Sequence, residues 1–140
     1  MIPIIHRVNT TEELNKVDKN NGVEVDVRCF EDKIILNHDP FSGGENFEDY
    51  LKHFKHKLLV VNIKETGIEE IVIKKTKEIL KDCDFFLLDV EIPYIINQKG
   101  ASKNHISARY SEFEKFESLV EFNHLADWVW IDTFTKLPEL

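Results

Sequence analysis

Glu24 and Asp26 stand two residues apart in Gly22-Val23-Glu24-Val25-Asp26-Val27, alternating with valines. In a β-strand that alternation puts both carboxylates on one face and the valines on the other. Same-face neighbours lie about 6.6 Å apart along a strand, close enough for both side chains to reach one hard cation and awkward for two unpaired anions. Asn62, at the end of the apolar run Leu58-Leu59-Val60-Val61, adds an amide oxygen of the kind Mg²⁺ or Ca²⁺ accepts. The competing reading is a structural network in which Arg7, Arg28 or Lys64 neutralises the two acids. On spacing alone the two readings stand level.

His6 and His38 are the candidate proton shuttles, because imidazole titrates near neutrality and serves as base or acid. Each abuts a second polar residue at the end of an apolar run, as Ile4-Ile5-His6-Arg7 and Ile34-Ile35-Leu36-Asn37-His38-Asp39. A strand-end histidine with a hydrogen bond is the bland alternative; His53, His56, His105 and His124 sit in helix-like, loop or unremarkable positions and are assigned no role. Arg7 and Lys64 suit a phosphate, the first through its planar fork and the second as a point charge. Asp89, Arg109 and Asp132 are further strand-end residues that line a pocket or pair with one another. Trp128, Trp130 and Phe134 read as core.

These residues must be positioned by an alternating series of elements. Apolar runs at Ile2 to Ile5, Val23 to Val27, Leu58 to Val61, Phe85 to Leu88, His105 to Arg109 and Trp128 to Ile131 read as six strands. A hairpin turning at Glu31-Asp32-Lys33 follows the second and returns His38 to the mouth of that strand. Between the strands, Thr10 with Glu13, Thr66 with Glu69 and Ser111 with Glu114 have capping-box spacing, and Asn46 is a further cap. Phe47, Tyr50, Leu51 and Phe54 follow helical spacing. Strands alternating with helices imply a parallel sheet with helices outside it, its strand ends gathered on one side. No GxGxxG or GxxxxGK[ST] loop is present.

The 140 residues, 42% hydrophobic and 31% charged, suffice for one domain with a sizeable core. A net charge of −8 argues against a general nucleic-acid or anionic-membrane binder. Cys29 and Cys83 lack metal-ligand spacing and read as reduced thiols. With neither a signal peptide nor a run of about 18 apolar residues, a soluble cytoplasmic protein is expected.

In order and spacing, His6-Arg7, then Glu24-Val25-Asp26-Val27-Arg28, then Asn37-His38-Asp39 resemble the HRG, E-x-D and HD motifs of the glycerophosphodiester phosphodiesterase family. Val61-Asn62-Ile63-Lys64 is similar to that family's E-x-K strand. More loosely, Phe86 to Pro93 and Trp128 to Phe134 resemble a divergent bacterial branch associated with surface-polysaccharide genes. The resemblance implies a (β/α) TIM-type barrel with His6 and His38 as general acid and base. It implies a divalent cation, Mg²⁺ or Ca²⁺, on Glu24, Asp26 and Asn62, and Arg7 and Lys64 on the phosphate. The implied reaction is metal-assisted hydrolysis of a small phosphodiester such as a glycerophosphodiester, a step of lipid metabolism.

Three departures accompany it. Val8 stands where HRG has glycine, Asn62 stands where a third carboxylate is expected, and a complete barrel needs roughly 200 to 250 residues. The expectation is therefore an incomplete barrel of about six parallel strands. Its open edge would be covered by a second copy, by the C-terminal segment through Leu140, or by further chain. The same departures motivate an alternative in which the chain is a non-catalytic phosphate-binding or regulatory module, and a weaker one in which it is a structural subunit.

Overall fold

The fold is taken from a computed structural model that describes residues 1–136. The chain forms two compact units, Met1–Phe85 and Phe86–Leu140. The first opens with β1 (Ile4–Ile5), α1 (Thr11–Leu14), β2 (Gly22–Phe30), β3 (Lys33–Leu36), β4 (Glu45–Asn46), α2 (Phe47–His53), β5 (Leu58–Ile63) and α3 (Glu69–Ile79). β6 (Asp84–Leu88) runs across the division, and α4 (Ile92–Asn97), β7 (Ser107–Tyr110), α5 (Phe116–Phe122) and β8 (Trp128–Ile131) follow.

The expected parallel barrel is not what forms. The strands make a mixed six-stranded sheet in the order β4-β3-β2-β5-β6, with β1 beside β2, and a separate two-stranded sheet of β7 and β8. The departure comes from the hairpin: β3 pairs antiparallel with β2, and β4 antiparallel with β3. Strands expected as an insertion outside a parallel series instead extend the sheet itself. Parallel pairing holds for β1 with β2, β2 with β5, and β7 with β8. The C-terminal segment invoked to cover an open edge falls largely on residues 137–140, outside the described residues.

The nine-residue β2 organises the first unit. One edge pairs with β5 from Gly22 to Val27. The other takes β1 at Gly22 and Val23 and then β3 from Val27 onward. Between those partners, at Glu24 to Asp26, loops satisfy the backbone: Val8 N–H donates to the Glu24 carbonyl at 3.0 Å and Asn37 N–H to the Asp26 carbonyl at 3.1 Å. Buried backbone groups must be paired somewhere, and this seam draws the chain after β1 and the chain after β3 to the same spot.

The register sorts the two faces. Val23, Val25 and Val27 lie beside Leu59, Val61 and Ile63, an apolar layer, whereas Glu24 and Asp26 lie beside Val60 and Asn62. Phe47, Tyr50 and Leu51 of α2 and Val72 of α3 are fully buried, and the two helices pack together. The local signals differ in how well they hold. Thr10 forms the full capping box and Asn46 accepts from Asp49 N–H. α3 begins later than Thr66 suggests, with Ile68 at its N-cap, and Glu69 turns back to accept from Gly67 N–H at 2.7 Å. Ser111 donates its hydroxyl to Glu114 without capping α5, which starts after Lys115.

Leu59 has no exposed surface in the centre of the sheet. Leu59→Ala is expected to cost about 2–5 kcal/mol of stability, the usual range for a large-to-small change in a close-packed core, read as a lower urea midpoint with an unchanged slope.

Candidate functional site

Asp26 is the centre of the site. It is 1% exposed, and a carboxylate so placed is costly unless paired and hydrogen-bonded. Asn9 supplies the hydrogen bonds from both ends of one amide: Nδ2 donates to Asp26 Oδ2 at 2.9 Å, and Oδ1 accepts from the Asp26 backbone N–H at 2.8 Å. The other carboxylate oxygen, Oδ1, faces two cationic or potentially cationic groups. Lys64 Nζ lies 3.1 Å from it and His38 Nδ1 3.3 Å, as ion-pair contacts without hydrogen-bond angles. Burial alone would raise the Asp26 carboxyl, but the Asn9 amide, the Lys64 ammonium and His38 together hold it below its ordinary value.

Glu24, two residues back, is equally enclosed at 2% exposure. Its Oε2 accepts the Arg7 backbone N–H at 2.7 Å, and His6 Nδ1 stands 3.8 Å from the same oxygen. Arg7 has a left-handed backbone, φ 57°, uncommon without glycine. That conformation aims its N–H at Glu24 while its side chain stays exposed. The loop is fastened from below by the Tyr50 hydroxyl, which donates to the Val8 carbonyl at 2.8 Å. Burial, with Glu45 and Glu13 nearby, pushes the phenol well above its usual range, so Tyr50 remains a neutral donor. Val8 itself is a core residue, 4% exposed.

His38 is carried in from the other side. Arg28 donates to its carbonyl from Nη2 at 2.9 Å and Nε at 3.3 Å. Asn37 braces the following loop through Ser42 Oγ at 2.9 Å and the Gly43 carbonyl at 2.8 Å. His6, His38, Glu24, Asp26 and Lys64 therefore share one neighbourhood, linked through the two carboxylates. Arg7 reaches it through its backbone N–H, and its side chain is exposed.

Asn62 pairs in register with Asp26 and is 7% exposed, and its Oδ1 has no hydrogen-bond donor. Asn62 Oδ1 and Asp26 Oδ1 are thus buried oxygens on adjacent strands, each lacking a hydrogen-bond donor, on the face that also carries Glu24. Hard oxygen donors of this kind fit Mg²⁺ or Ca²⁺. No group of three or more His, Cys, Asp or Glu side chains suited to a metal occurs among the described residues, so such an ion would depend on the Asn62 amide as its third protein ligand. Asn9 and Tyr50 escaped the sequence reading as site residues. Asn9 lies three residues beyond His6 and directly before a helix cap, where an asparagine is ordinary turn chemistry.

Because the folded Asp26 carboxyl lies below its ordinary value of 3.8, it contributes stability that is fully present above that pH and lost as pH falls through the folded value. Asn9→Ala removes part of this. With EDTA present, the variant should fall furthest below the parent protein in urea unfolding near neutral pH, and the gap should narrow on acidification below 3.8.

The chain was compared with protein-family models, curated proteins and solved structures, and none of them matches it.

Proposed function

We propose that this chain is a phosphodiester hydrolase acting by acid-base catalysis at His6 and His38. The observation that carries the reading is that the two histidines each turn Nδ1 toward a different carboxylate of a single strand, His6 toward Glu24 and His38 toward Asp26. A carboxylate facing Nδ1 orients the ring, as a proton shuttle requires.

In this reading Lys64, at 18% side-chain exposure, and the exposed Arg7 guanidinium meet the phosphate. One histidine takes the proton from the attacking water or from a neighbouring substrate hydroxyl as the new P–O bond forms. The other gives a proton to the oxygen of the departing alcohol as the old P–O bond breaks. Glu24, Asp26 and Asn62 would hold a divalent cation, which when bound would neutralise charge on the phosphoryl oxygens. Asn9 keeps Asp26 ionised and fixed, and Tyr50 holds the loop that presents His6.

A second reading, phosphate binding without turnover, draws on the Lys64 ammonium lying 3.1 Å from Asp26 Oδ1. That cation already compensates the carboxylate a metal would otherwise use. Calorimetry with glycerol phosphate separates the two readings: binding with no hydrolysis of any diester favours the module over the enzyme.

Hydrolysis of glycerophosphodiesters and bis-nitrophenyl phosphate, with Mg²⁺ or Ca²⁺ and with chelator, tests the enzyme. His6→Ala and His38→Ala should each lower kcat by about 10²–10⁴-fold, the usual worth of a positioned acid or base. Turnover indifferent to both substitutions and to chelator would end the proposal. Asn62→Asp restores a third carboxylate and should tighten Ca²⁺ or Mg²⁺ binding, measured as a larger metal-induced rise in Tm than the parent shows.

A further inference from the structure

The second unit contains a cavity of about 530 Å³ that shares no residue with the histidine site. Its volume is that of a small-molecule pocket. Leu88, Ile95, Ala108 and Phe122 line it with apolar surface, and Asp89, Glu91, Glu114, Arg109 and Lys115 are the charged residues of its wall. Three acids thus face two bases.

Arg109 is not available to an anion. Its Nη2 pairs with Asp89 Oδ1, its Nη1 with Asp132 Oδ2 at 3.0 Å, and its guanidinium lies 5.9 Å from the centre of the Phe134 ring. One guanidinium shared by two carboxylates leaves that triad net negative. Lys115 is exposed and has no carboxylate partner among the described residues. Asp89 holds a left-handed backbone, φ 60°, a strained conformation for a non-glycine residue. It follows directly on β6, and an open sheet's ligands bind beyond its strand ends.

We infer that this cavity binds an organic cation with an apolar body, an alkyl- or arylamine, its ammonium on Asp89 and Glu91 and its body against Ile95 and Phe122. The inference stands apart from the phosphodiesterase reading and survives that reading's failure.

Three indole probes of similar size and different charge test it on the full chain by calorimetry: tryptamine (cationic), tryptophol (neutral) and indole-3-propionate (anionic). Tryptamine should bind with Kd below about 1 mM, and the other two at least about tenfold more weakly. Asp89→Asn should weaken tryptamine by about tenfold. Because that change also loosens Arg109, Ser118→Phe on the half-buried wall provides a second variant, expected to abolish binding while the circular dichroism and Tm stay those of the parent. Equal binding of all three probes, preference for the propionate, no tryptamine binding at millimolar concentration, or undiminished binding to a folded Ser118→Phe protein would each overturn the assignment.

Discussion

A carboxylate placed near the middle of a sheet is the constraint from which the first unit's architecture follows. Removing Asp26 from water costs several kcal/mol unless its charge and both oxygens are met. Groups from three separate stretches of chain meet them: Asn9 from the loop after β1, His38 from the loop after β3, and Lys64 from just beyond β5. Residues far apart in sequence therefore converge because one buried anion requires them. Glu24 repeats the arrangement with the backbone of Arg7 and the ring of His6. The same interactions that keep the anions tolerable also aim the imidazoles.

Much of this geometry was legible because strand periodicity is unforgiving. The alternation of Glu24 and Asp26 with three valines puts the acids on one face and the valines on the other, and a slip of one residue would exchange the two faces. The caps at Thr10 and Asn46 were readable for a similar local reason, since each side chain bonds a backbone group within three residues. Strand partnership was not readable in that way. A short apolar run such as Ile34-Ile35-Leu36 looks the same whether it lies outside a parallel series or joins the sheet antiparallel. The hairpin joins, and the barrel expectation fails there. Asn9 was hidden because its role depends on a partner 17 positions away, and capping spacing at Thr66 and Ser111 gave way to Glu69 on Gly67 and Ser111 on Glu114.

The two units differ in how they treat charge. In the first, ionised groups are enclosed between strands and their partners are fixed by sheet register. In the second, Arg109 gathers Asp89 and Asp132 beside a cavity, and apolar residues such as Phe113, Phe116 and Val120 are more than half exposed. The α5 helix carries no fully buried side chain. Packing thus dictates side-chain position closely in one unit and loosely in the other.

The seam on β2 has a consequence for how the molecule must be handled. β1 is only two residues long, yet His6, Arg7 and Asn9 all ride on the segment it anchors. Peeling back the first nine residues would strip one imidazole and the Asp26 amide partner together while leaving the β2–β5 pairing in place. A purification tag or fusion placed ahead of Met1 therefore pulls first on the segment that carries His6 and Asn9. Such a strain leaves Asp26 buried without its amide partner, so it should show as a lower melting temperature than that of the undisturbed chain.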